Sequence, residues 1–334
     1  MHFGFDDLQL SVRDTVGSLL EKRCDTAALE QAWRAGSSAP LLPLWNDLAS
    51  IGVPGLIVPE AAGGAGFDGL TMALVLAECG RKAVALPVLE TAAVAVPLLW
   101  TAGDPGGVVG ALVDGSALAT LVTGRARYAT ASSVASYFLA DDAEGAVLYA
   151  RDEVTIEPVQ SVDRTRDLAV VTARGAGIPL GPTVAVGAVE ELAALAASAV
   201  LIGLGEALVA TTVDYVKERK QFGVPIGSFQ AVKHQLADAH LGVQFAAPAV
   251  WAASDVCYPG GAESPHRARM ISMAKALASD AASVASRVAL QCHGAMGYTD
   301  DYPLHMWLKR VWCLTEAFGS AATHRSRVAA ELGI

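Results

Sequence analysis

Glu218-Arg-Lys-Gln-Phe-Gly-Val-Pro-Ile-Gly-Ser-Phe-Gln230 joins two long apolar segments that both read as buried helices, and how it is read decides the fold. It places a guanidinium (Arg219), a ring (Phe222), a bare backbone position (Gly223) and two amides (Gln221 and Gln230) side by side. An arginine fork suits a pyrophosphate because its donors are planar, permanently charged and bidentate. A glycine beside it lets a ligand approach the backbone closely. The same residues also suit a polar connection between helices with an ordinary glycine turn. The chain on either side has to separate the two.

Upstream, Leu8, Val12, Val16, Leu19 and Leu20 recur at three- and four-residue steps, the spacing of one helix face. Leu44, Trp45, Leu48 and Ile51 form a second face, and residues 52–66 are turn-rich. A further apolar helix over 70–79 is expected to end at Gly80, and Pro87 and Pro97 bracket another through 92–96. Gly103-Asp-Pro-Gly-Gly107 is the clearest boundary. Beyond it, short runs at 117–122, 137–140, 146–150, 154–159 and 168–172 read as strands. After a second glycine- and proline-rich boundary at 175–182, the pattern predicts four long helices, 190–220, 228–255, 267–294 and 304–332, with a plain loop at 257–265. The expected fold class is α+β, mostly helical. It has an N-terminal helical domain (1–112), a small middle β domain (113–182) and a C-terminal four-helix bundle (183–334).

Composition narrows the functions. Hydrophobic residues make up 53% of the 334 and charged residues only 17%, so several helices must be buried on most sides or a large interface must exist. The longest clean apolar run, Leu192 to Gly205, falls short of the roughly 20 residues that span a bilayer, so no membrane span is expected. A net charge of −10 without a basic face argues against nucleic acid. Cys24, Cys79, Cys257, Cys292 and Cys313 are scattered and form no Cys-x-x-Cys pair. That points to a reducing compartment and away from zinc. With no secretory signal at the N-terminus, a cytoplasmic location is the expectation.

Chemical motifs are sparse. His293, His305 and His324 are too dispersed for a metal site, and His234 and His240 lie six apart on one helix, off a common face. No Ser-His-Asp arrangement or Walker phosphate loop is present. Asp163-Arg-Thr-Arg-Asp167 reads as a solvated turn between strands, although Arg164 or Arg166 could pair across an interface. Gln291-Cys-His-Gly-Ala-Met-Gly-Tyr298 ends a helix on two glycines. It is a helix C-terminus with a turn, or an exposed amide and backbone edge for a nucleotide.

Three separated stretches then agree. Leu44-Trp45 with 48–60 and Gly63-Gly64-Ala-Gly66, Arg219-Lys-Gln-Phe-Gly223 with Phe229-Gln230, and Gln291-x-x-Gly294-x-x-Gly297-Tyr298 with Tyr302-Pro303 occur in order on a helix–β–helix layout. The chain resembles the acyl-CoA dehydrogenase family of flavoproteins over essentially its whole length. The resemblance implies FAD as cofactor, an acyl-CoA substrate, and electron-transfer flavoprotein as acceptor. It implies removal of an α-proton by a glutamate while a β-hydride passes to the flavin, at a site shared between two subunits. Arg219, Gln221, Phe222, Gly223, Gln230, Gln291, Gly294 and Gly297 match the half that one subunit donates to its neighbour's FAD.

The other half of the family's pattern is not matched. The usual Thr-Glu-Pro and Gly-Ser-Asp motifs that cover the flavin ring have no counterpart after Leu118-Ala-Thr-Leu-Val122, and no tryptophan lies between Trp100 and Trp251. The β domain reads as shortened. The usual base position holds Phe318, which cannot abstract a proton; Glu316 and Glu191 each lie two residues from an expected base position. The resemblance therefore predicts a base-lacking subunit of a heterotetrameric acyl-CoA dehydrogenase, acting on a bulky, possibly steroid-derived thioester beside a partner that carries the base. Its alternatives are a self-sufficient homo-oligomer using Glu316 or Glu191, and a flavin-free scaffold.

Overall fold

The computed structural model describes residues 4–124, 126–142, 145–258 and 264–334. The loop expected at 257–265 falls largely outside them. The chain opens with helix α1 (Asp7–Arg23), started by a capping box in which Asp6 accepts from the Gln9 amide while Gln9 accepts from that of Asp6. Helices α2 (Thr26–Ala35), α3 (Leu42–Ser50) and α4 (Gly69–Arg81) follow. Asp68 caps α4 through the Thr71 amide and accepts from the Gln9 side chain at 2.9 Å, which fixes α1 on α4. A π-helical stretch, Leu89–Ala95, runs into α5 (Val96–Thr101), and the short α6 (Val109–Val113) leads to the β region. Pro97 lies where the π-helical stretch passes into α5, and the helix runs on through it to Thr101.

All five expected strands form: β1 (Ala119–Val122), β3 (Tyr137–Asp142), β4 (Gly145–Ala150), β5 (Val154–Pro158) and β6 (Ala169–Ala173). Two-residue strands β2 (Tyr128–Ala129) and β7 (Ile178–Pro179) add to them. They make one sheet in the order β1-β3-β4-β7, with β1 and β3 parallel, and a second in the order β2-β6-β5. Phe138, buried on β3, packs with Val122, Val154 and Val171 into a small core of their own.

The C-terminal bundle is built on α7 (Ala188–Glu218), with α8 (Gln230–Cys257), α9 (Arg267–His293), α10 (Leu304–Glu316) and α11 (Ala321–Leu332). Helix α7 is apolar on all sides and therefore must be enclosed. By length and composition it could cross a bilayer, but 83% of its most apolar window is buried inside the fold. Gly80 does not end α4 as expected. It lets α4 touch α7, since a Cβ there would lie 2.2 Å from the Val200 carbonyl oxygen. Gly203 answers from the other side, 1.9 Å from the Ala77 oxygen by the same construction.

Two further expectations are corrected. The apolar period over 304–332 reads as one helix, but Phe318 (φ +58°) and Gly319 (φ +100°) turn left-handed between α10 and α11. Ser320 then caps α11 by accepting from the Thr323 amide. Nor is 163–167 a solvated turn. Asp163 and Thr165 are buried because Arg310 on α10 reaches them, Nε donating to Asp163 and Nη2 to Thr165 Oγ1 at 2.6 Å. Its Nη1 donates to the Val84 carbonyl at 2.8 Å, so one guanidinium ties the helical N-terminal region, the β region and the bundle together.

The α10–α11 break is held from beneath. Lys275, fully buried, donates to the carbonyls of Gly319 (3.0 Å) and Thr315 (3.2 Å). Burial pulls its pKa down to about 8, with Glu316 opposing. His324, also fully buried, faces the Phe318 carbonyl through Nε2 at 3.0 Å and Ser272 Oγ through Nδ1 at 3.1 Å. A carbonyl only accepts, so Nε2 carries the proton and Nδ1 accepts from the serine. Burial pushes the His324 pKa down to about 4, against the hydrogen bond to Phe318 and helped by Lys275 and Arg327. Protons then bind the unfolded chain better than the folded one below about pH 6.5, so stability is lost as pH falls from about 6.5 to about 4. The unfolding free energy from urea titrations over that window should fall for the native protein, by up to about 1.4 kcal/mol per pH unit at the steepest. It should fall visibly less for His324→Gln.

Candidate functional site

The stretch 218–230 is more than a polar connection. Helix α7 ends at Arg219, whose amide donates to the Tyr215 carbonyl at 2.9 Å. A hairpin follows, β8 (Lys220–Gln221) against β9 (Val224–Pro225), with Gln221 opposite Val224. Its loop is the two residues Phe222 (φ +54°) and Gly223 (φ +84°), a type I′ turn. That turn favours glycine, asparagine or aspartate at both places. A phenylalanine in the left-handed region is strained by roughly 1–2 kcal/mol. Its ring is 92% exposed, touching Phe229 edge-on at 6.3 Å between centroids. The chain holds an aromatic ring out to solvent against its own backbone preference.

The second glycine stretch lies at the same end of the bundle. Tyr215 on the last turn of α7 stacks on His293 at the end of α9, 4.1 Å between centroids and 22° from parallel. Tyr302, just before α10, packs against both. Three helix ends thereby meet: the C-termini of α7 and α9 and the N-terminus of α10. Helix α8 begins at Gln230 with no side-chain cap; the Val232 amide turns back to the Phe229 carbonyl at 3.1 Å, which leaves those of Gln230 and Ala231 to a ligand or water.

Of the eight residues expected to hold a cofactor, Arg219, Gln221, Phe222, Gly223, Gln230, Gln291 and Gly294 are exposed around this end. Among the described residues no carboxylate pairs with Arg219. Gly223 and Gly294 have open space where a Cβ would stand, so a ligand can reach their backbone. Gln221 currently donates to the carbonyl of Lys220 at 2.9 Å. Gly297 differs: it is buried, with a Cβ position 3.0 Å from Leu290, which makes it a packing glycine. A free guanidinium, open helix N-terminal amides, side-chain amides and a presented ring fit the pyrophosphate and adenosine part of a dinucleotide.

The candidate base positions lie elsewhere. Phe318 stands at the α10–α11 break, half-buried, and borders a cavity of about 70 Å³ with Glu90, Arg166 and Arg310. Glu316 is exposed and borders a neighbouring cleft of about 260 Å³, which it shares with Glu90, Glu190 and Arg327. Glu191 is paired with Arg267 at 2.7 Å and so is engaged within the bundle. Sequence reasoning passed over Glu90, which borders both spaces and accepts from Thr130 Oγ1 at 2.5 Å. Burial raises its pKa above the usual carboxylate range, with the Thr130 hydrogen bond opposing. Its signal was a lone carboxylate within the apolar run from Leu86 to Leu99. Among the described residues no cluster of metal-ligating side chains forms.

A helical region, a small β region and a long-helix bundle with a nucleotide-fitting helix end define a flavin-dependent dehydrogenase fold. Family models for the acyl-CoA dehydrogenase N-terminal domain and C-terminal domain match residues 6–105 and 183–333. The chain belongs to the acyl-CoA dehydrogenase family, with FAD as its cofactor, and is an oxidoreductase of that type. It is 33% identical over 300 residues to acyl-CoA dehydrogenase IpdE2 of Mycobacterium tuberculosis, covering 90% of this chain and 89% of that one. The IpdE2 of Mycolicibacterium smegmatis is 31% identical over 96% of this chain and 97% of its own. Among solved structures, the ChsE4-ChsE5 complex of Mycobacterium tuberculosis contains a chain of the same fold (TM-score 0.82, 22% identity, 100% and 99% covered). So does the Tcur3481-Tcur3483 steroid ACAD G363A variant (TM-score 0.81, 23% identity, 98% of each chain).

Proposed function

We propose that this chain is a subunit of a heteromeric acyl-CoA dehydrogenase, contributing Arg219, Phe222, Gly223, Gln230, Gln291 and Gly294 to FAD held mainly by a partner subunit. The observation that carries this is Phe222, strained and 92% exposed at the tip of a hairpin that points away from its own chain. A donated half-site accounts for both the strain and the exposure, and Phe318 at the usual base position favours a different chain over a second copy as its recipient. Phe318 at the usual base position and the β region's lack of tryptophan agree with a partner that owns the base and covers the flavin ring. Bound there, FAD accepts the hydride; this chain's residues orient its phosphates and adenosine. A match spanning 90% of this chain but only 44% of acyl-CoA dehydrogenase FadE34 also agrees with a unit that works beside a second one. The steroid ACAD Tcur3481-Tcur3483 as a neighbour in fold supports a bulky, steroid-derived thioester as the substrate class. Electron-transfer flavoprotein as acceptor and a cytoplasmic α2β2 assembly complete the reading.

The test is to purify the chain alone and together with a co-expressed dehydrogenase subunit. Flavin absorbance and acyl-CoA oxidation are expected only in the complex, and Glu316→Gln should leave turnover of that complex unchanged. Stoichiometric flavin and turnover in the chain alone, lost in Glu316→Gln, would establish the self-sufficient enzyme instead.

A further inference from the structure

The stack behind the exposed end of the bundle is made from three elements that carry, or directly adjoin, the candidate cofactor residues. Tyr215 lies one turn before Arg219 on α7, and His293 lies between Gln291 and Gly294 at the end of α9. Tyr302 closes the loop before α10, its ring 5.3 Å from His293 and 6.1 Å from Tyr215. The histidine itself is almost wholly enclosed, 3% exposed. Its Nδ1 lies 2.8 Å from the Ala289 carbonyl, which only accepts, so Nδ1 carries the proton and Nε2 is a bare lone pair. Among the described residues that Nε2 has no partner. A buried acceptor left unmade is a cost to folding, so what this position gains is the flat ring between two tyrosines.

We propose that His293 is a positioning residue for the cofactor half-site, its ring locking the ends of α7 and α9 so that Arg219 and Gln291 are held at a fixed spacing. This rests on the shared-site reading above. Arg219 stands on one helix end and Gln291 on another, and among the described residues no hydrogen bond links their two side chains. Stacked rings resist sliding and tilting in a way that aliphatic contacts do not, because offset geometry is favoured over other arrangements. A ligand that must meet both residues at once binds only as well as that separation is kept.

The experiment measures FAD affinity and melting temperature of the native oligomer captured through a tag on this chain, at a temperature where circular dichroism shows it fully folded. His293→Ala is expected to weaken FAD roughly tenfold, and His293→Phe, which keeps the stack, to stay within about twofold of the native protein. The phenylalanine variant should melt close to the native chain, since the unpartnered nitrogen and the hydrogen bond to Ala289 are lost together. Should His293→Ala prevent folding, Tyr215→Leu, which keeps apolar volume without the stacked ring, carries the same expected weakening. The proposal is overturned if His293→Ala or Tyr215→Leu melts lower yet binds FAD as the native protein does. It is equally overturned if His293→Phe loses as much affinity as His293→Ala. Arg219→Ala separates the two levels: unchanged FAD affinity there refutes the shared site itself, whereas weakened FAD there with an indifferent His293→Ala refutes only the stack's role.

Discussion

Arg310→Ala is expected to destabilise the chain by about 3–5 kcal/mol, because it leaves the Asp163 carboxylate buried without its counter-charge. The loss should show as a lower urea midpoint and a melting temperature several degrees lower. Removing one partner of a buried pair costs far more than removing both. Arg310→Met combined with Asp163→Leu should therefore recover much of the stability that the single change loses. A double-mutant cycle measures the coupling directly. If Arg310→Ala changed stability by less than 1 kcal/mol or so, the pair would be behaving as a surface contact and the tie between the three regions would be wrong. Glu90 supplies a second reading of the same residue, since Arg310 is among the charges that hold its carboxyl down against burial.

Arg219→Ala is expected to weaken FAD roughly ten- to a hundredfold in the assembled enzyme, the loss of a bidentate charge-assisted contact of about 1.5–3 kcal/mol. Its stability in the absence of flavin should not change, because the side chain is exposed and pairs with no carboxylate among the described residues. Arg219→Lys should recover part of the affinity but not all, since an ammonium keeps the charge and loses the planar fork. Phe222→Gly offers a contrasting signature. It relieves the left-handed strain at the turn, so the hairpin should gain stability while FAD binding falls. Flavin-to-protein absorbance ratios and fluorescence titration report both variants. Unaltered FAD affinity in Arg219→Ala would remove the main support for a donated half-site.

What could be seen in the sequence depended on how local the cause was. Most of the helical periods and the five strands are written within short windows, and these have their counterparts in the fold. The strain at Phe222 was hidden because turn preferences argue against a phenylalanine there. The break between α10 and α11 was legible in principle: Gly319 followed by Ser320 is a helix stop followed by a helix start, but the apolar period ran across it. Asp163 was misread for a different reason. A charged run looks solvated, and its burial depends on Arg310, 147 residues further on. Glu90 likewise owes its setting to Thr130 and to the cavities on either side, none of which a local window contains.

The uniformly apolar α7 also has a bearing on how the chain comes into being. As it leaves the ribosome, a largely apolar 31-residue helix exposes surface to aggregation until other elements cover it. Its close partner α4, with Gly80 ready to receive Gly203, has by then already been made, whereas α8 and α9 have not. One side of α7 can thus be covered at once, and only the other waits for the rest of the bundle. Filling Gly80 with a larger side chain would remove that early shelter, and the first symptom would be poor yield of soluble protein rather than a weaker enzyme.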